Sequence, residues 1–158
     1  MNQMPDELNR LDERPTGMRG WPQLDPGATA LTIAVAVLVL LGAQVLPWAG
    51  PSNGWQVLLG AGHLGVLPRL FATTSALFGV LGSTAALTTR LWAIGWACAF
   101  GGGFSVVNGM WAVWSRQTAP GGGTGPGPGL VLALLAMVVL TVLWVRVAWS
   151  RPGGRANG

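Results

Sequence analysis

The sequence predicts an all-α integral membrane fold, a four-transmembrane-helix bundle with both termini on the cytoplasmic side. Two observations on composition lead there. Apolar residues make up 51% of the 158-residue chain and charged residues only 9%, whereas a soluble domain carries about a quarter charged residues. The acidic charges are also confined: Asp6, Glu7, Asp12, Glu13 and Asp25 all precede Pro26, and the rest of the chain carries only six arginines and no Asp, Glu or Lys. A third observation is the run of apolar segments, each about the length that a helix rising 1.5 Å per residue needs to cross a hydrocarbon layer of ~30 Å.

Residues 1–25 are polar and interrupted by Pro5, Pro15 and Pro22, which predicts a largely disordered cytoplasmic tail of mixed acidic and basic character. The transmembrane domain is expected over 26–149, with spans at about 28–46, 70–88, 91–114 and 130–149. Asp25-Pro26-Gly27 reads as a helix start and Pro47-Trp48 as an exit, since proline is tolerated in a first helical turn but not in a helix interior. The stretch 47–68 is a Gly/Pro-rich outer loop with a short apolar patch at Trp55–Leu59, expected to lie on the membrane face or to re-enter it. Thr89-Arg90 leaves room only for a tight hairpin between the second and third spans. Residues 121–129 are almost entirely Gly and Pro and read as a flexible connector. Residues 150–158 form a short basic tail.

Orientation follows from the nine arginines. With the N-terminus inside, Arg10, Arg14, Arg19, Arg90, Arg146, Arg151 and Arg155 are cytoplasmic, and Arg69 and Arg116 lie outside, the bias expected of a bacterial inner-membrane protein. The tryptophans fall at span ends: Trp48, Trp55, Trp111 and Trp114 at one level, and Trp92, Trp96, Trp144 and Trp149 at the other, consistent with interface anchors.

Small residues permit close backbone approach between helices. Ser75, Gly79 and Ser83 on the second span and Gly95, Ala99 and Gly103 on the third are spaced by four, and the two stripes are expected to face each other across the hairpin. Asn108 and Gln44 are polar groups at similar depth and are read as interhelical hydrogen-bonding residues. Cys98 sits in an apolar run and reads as a small packing residue.

The search for chemistry excludes more than it finds. No span carries a carboxylate, which argues against proton-coupled transport and carboxylate acid–base catalysis. His63 is the single histidine and Cys98 the single cysteine, so no metal cluster, nucleophile–base pair or cofactor motif is expected. The arginines are scattered rather than gathered into a patch, which points away from nucleic acid.

The exit Leu46-Pro47-Trp48, the outer-loop run Ser52-Asn53-Gly54-Trp55 and the tryptophan-marked later spans resemble small four-span, Trp-rich actinobacterial membrane proteins of largely unknown function. The resemblance covers residues 28–149 and implies a fold, with no catalytic residues to carry over. Size, absent chemistry and small-residue faces together predict a non-catalytic accessory or scaffold subunit of a respiratory or cell-envelope assembly, with the lipid bilayer and a larger membrane protein or a homo-oligomer as partners. The alternative is a passive channel or transporter for small solutes or lipids, acting as a homo-oligomer.

Overall fold

The first apolar run folds as helix α1, Pro26–Val45, its proline in the first turn, where no intrahelical donor is lost. The computed structural model describes residues 26–61, 64–118 and 125–150; the two tails and His63 lie outside the described residues. After α1 the chain forms a small hairpin. Strand β1 (Pro47–Ala49) pairs antiparallel with β2 (Ser52–Asn53), Pro47 opposite Asn53 and Ala49 opposite Ser52. Gly50 turns the hairpin at φ +55°, a left-handed conformation that costs glycine little. Helix α2 (Gly54–Leu58) follows directly, and the Asn53 backbone N–H donates to Gln56 Oε1 at 3.1 Å. The Trp55 patch is therefore part of this single helical turn.

The next helix is one continuous rod in three parts: α3 (Val66–Thr74), a π-helical segment (Ser75–Gly82) and α4 (Ser83–Thr89). It begins four residues ahead of the expected Leu70, because Pro68 sits inside the first turn instead of ending the loop. Helix α5 runs Trp92–Gln117 and helix α6 runs Pro128–Trp149.

Three helical stretches, Gly27–Val45, Val66–Thr89 and Pro128–Trp149, are long and apolar enough to cross a membrane by length and composition. Four were expected. The stretch that does not qualify is α5, whose Gly101-Gly102-Gly103, Ser105, Asn108 and Ser115 dilute its apolar content. Large apolar side chains stand exposed on the outward faces, among them Leu31 and Leu38 on α1, Phe100 and Phe104 on α5, and Leu135 and Val142 on α6. Contiguous exposed apolar surface marks contact with protein, ligand or membrane.

The core lies where α1, the π segment and α6 meet. Leu40 and Met137 close over Gly79, with distances of 2.5 and 2.6 Å from where a Cβ would stand to Leu40 Cδ2 and Met137 Sδ. Helix α5 packs along α6 and α3 through its own glycines: Gly102 lies under Thr141, and Gly109 under Leu134 and Phe71. One buried hydrogen bond ties α3 to α5, Thr74 Oγ1 donating to Ser105 Oγ at 3.0 Å.

The two small-residue stripes do not meet as expected. Gly79 faces α1 and α6, Gly95 faces Trp144 on α6, and a Cβ on Gly103 would meet open space. The hairpin instead closes through Gly82 against Cys98 and Phe78 against Gly101, with Ser75 buried and bonded to the Ala72 carbonyl. A four-residue spacing drifts by about 40° per step on a helix of 3.6 residues per turn, so a stripe so spaced does not hold one face along a whole span. Ala99 is buried in α5.

Candidate functional site

At the end of the molecule where α4 turns back into α5, the helix ends leave a cavity of about 590 Å³. Its walls come from Thr29, Ala30 and Ile33 of α1, Ala86 and Leu87 of α4, Leu91, Trp92 and Gly95 around the start of α5, and Leu143, Trp144 and Val147 of α6. Arg90 and Arg146 both line it. The cavity lies where α4 stops at Thr89 and the chain reverses within Arg90 and Leu91.

Two hydrogen bonds fix the aromatic walls. Trp144 Nε1 donates to Ser83 Oγ at 2.9 Å, and Trp92 Nε1 donates to the Ala148 carbonyl at 3.3 Å. Both cross from one helix to another, so the indoles are held rather than free to swing. Arg90 caps α4 with φ +53° and is the one non-glycine residue in the left-handed region among the described residues. Glycine is the usual residue at such a helix end. No Asp or Glu occurs among the described residues, so neither Arg90 nor Arg146 meets a carboxylate there.

The remaining expected site residues are spread over the molecule. Trp48 is fully buried and its Nε1 donates to the Ala43 carbonyl at 2.9 Å; this is a core position, not an exposed anchor. Trp144 is likewise buried in the cavity wall, whereas Trp55, Trp92, Trp111, Trp114 and Trp149 are exposed. Trp96 stacks on Phe100 at 5.4 Å and meets Trp92 edge-on at 5.8 Å. Gln44 and Asn108 do not bond each other: both amide atoms of Gln44 and the Nδ2 of Asn108 lack a hydrogen-bond partner. Gln44 is 2% exposed and enclosed beside Trp48 and Gly54, while Asn108 lies on the half-buried side of α5, so depth alone did not bring them together.

An unpaired buried amide costs about 1–3 kcal/mol. Gln44→Leu is therefore expected to raise the thermal midpoint of the purified chain, as read by circular dichroism. A drop in the midpoint would mean that the amide has a partner.

Arg90 and Arg146 were read from sequence only as markers of sidedness, and the Ser83–Trp144 bond was not foreseen. The available signal was an arginine where a helix-ending glycine would ordinarily stand.

The match to known proteins is specific. The family model of the MiaB C-terminal domain matches residues 20–156, and the chain belongs to that family. It is 44% identical over 133 residues to the tRNA-2-methylthio-N(6)-dimethylallyladenosine synthase of Mycobacterium avium (strain 104), a match that covers 81% of this chain and 19% of the relative. The chain thus spans about a fifth of the length of that curated relative. No solved structure matches at a significant level.

These findings correct the expectations on identity and role. A MiaB C-terminal domain replaces the small Trp-rich actinobacterial protein of unknown function, and with it the free-standing four-transmembrane-helix bundle as the fold class. The relative is a synthase named for a tRNA nucleoside. That overturns the accessory-subunit and channel readings, the expectation that no enzyme is involved, and the exclusion of nucleic acid. The inner-membrane localisation and the lipid bilayer as partner fall with the reading that carried them.

Proposed function

We propose that this chain serves in forming 2-methylthio-N6-dimethylallyladenosine in tRNA, as the helical part of a MiaB-type synthase. The 44% identity over 133 residues carries the reading, because identity of that level along most of a chain goes with a shared fold and, in a shared context, a shared task. Among the described residues no group of three His, Cys, Asp or Glu stands close enough to hold a metal ion, and Cys98 is buried. Cys98 is accordingly assigned a packing role between the helices.

Two measurements test the reading. The tagged full chain should co-purify with a polypeptide similar to the unmatched part of the relative, or carry that part itself; recovery of the chain with neither counts against it. Cys98→Ala should leave the 2-methylthio-N6-dimethylallyladenosine content of tRNA unchanged. Loss of the nucleoside in that variant would make Cys98 a sulfur-handling residue and overturn its packing role.

A further inference from the structure

We propose that the cavity between the ends of α1, α4 and α6 binds one phosphate-headed amphiphile, its phosphate held by Arg90 and Arg146 and its apolar body against Ile33, Leu87 and Trp144. The inference goes beyond the tRNA reading and stands apart from it. Four features carry it. The cavity, about 590 Å³, falls within the range of small-molecule sites. Its interior is apolar, with Ile33 and Trp144 buried, while its rim holds two guanidiniums that no carboxylate among the described residues neutralises. Two positive charges match a phosphate monoester, which carries about −1.5 to −2 at neutral pH, and guanidinium is suited to phosphate by its fork of donors. The aromatic walls are held in place by the Trp144–Ser83 and Trp92–Ala148 hydrogen bonds, so the site is formed before any ligand arrives.

The backbone at Arg90 supplies an independent argument. Its φ of +53° is a conformation that glycine adopts without penalty and arginine does not. A disfavoured conformation at a residue whose side chain meets no carboxylate among the described residues points to a use for that side chain. Arg90→Gly therefore separates folding from binding, since it relieves the backbone and removes the guanidinium.

The test is isothermal titration of the full chain with octyl phosphate, with octanol and inorganic phosphate as the two half-ligands. Octyl phosphate is expected to bind at one site per chain, with either half-ligand weaker by about tenfold or more. Arg146→Gln and Arg90→Gly are each expected to weaken octyl phosphate by about tenfold, and Arg90→Gly to do so with an unchanged or higher thermal midpoint. Octanol binding as tightly as octyl phosphate would overturn the proposal, as would Arg90→Gly binding like the parent. Competition by dihexanoyl phosphatidate against octyl phosphate would identify a two-chain lipid phosphate as the source. Its failure to compete would identify a single-chain phosphate ester, and either result upholds the site.

Discussion

Trp48→Ala is expected to destabilise the chain by about 3–5 kcal/mol, the range for emptying a buried large aromatic site. The indole is fully buried and joins four separate parts of the molecule. It donates to the Ala43 carbonyl at the end of α1 and lies 5.5 Å from the Phe71 ring of α3. It also covers Gly54 at the start of α2 and Gly129 in the first turn of α6, where a Cβ would stand 2.8 Å from its Cδ1. Removing it leaves a cavity that no neighbour fills without moving a helix end, and leaves the Ala43 carbonyl unpaired. Chemical denaturation followed by circular dichroism reads the loss. A change below about 1 kcal/mol would mean that the site collapses around the alanine and that Trp48 does not organise this end.

Gly127→Ala is expected to cost about 3 kcal/mol, the upper end of the usual range for overpacking, although it adds a single methyl. At most helix ends such a change is harmless, and the φ of −74° at Gly127 permits alanine. Space does not. The added Cβ would collide with the Pro47 carbonyl oxygen and stand 2.9 Å from the Trp48 carbonyl. These are backbone atoms of β1 and cannot rotate aside. The Gly127 N–H also donates to the Trp48 carbonyl at 2.7 Å, so any shift that relieves the collision strains that bond. Gly125→Ala is the control, since a Cβ there meets nothing within 4 Å; it should leave the denaturation midpoint unchanged. Equal stability of the two variants would contradict the close packing of Gly127 against the hairpin.

These two sites show what the sequence made legible and what it concealed. The apolar run bounded by Pro26 and Pro47 announces a helix, because proline is confined to helix starts and exits, whereas the start of the last helix at Pro128 lay inside a stretch that reads as a connector. The tight reversal at Arg90 was equally legible, from the lack of spacer between two long apolar runs. The π segment Ser75–Gly82 was not. Its composition, Ser-Ala-Leu-Phe-Gly-Val-Leu-Gly, is that of an ordinary apolar helix, and the change in winding depends on what packs against it. Within it Gly79 faces Leu40 and Met137 rather than α5.

The site was hidden for a related reason. Arg90 and Arg146 are 56 positions apart in the sequence and come to line one cavity only in the folded chain. Trp144 and Ser83 are likewise 61 residues apart. Composition also misdirected the functional reading: an apolar chain without a catalytic motif gives no hint of tRNA. That association came from identity with a synthase of which this chain covers only a part.

The central claim is that this chain takes part in making 2-methylthio-N6-dimethylallyladenosine. The most direct measurement is mass-spectrometric quantification of that nucleoside in total tRNA, from cells with residues 26–150 deleted in frame and from the same cells supplied with the full chain. The account predicts that the deletion lowers the nucleoside severalfold, with the form lacking the methylthio group rising in its place, and that the full chain restores it. Unchanged nucleoside in the deletion strain would contradict the claim.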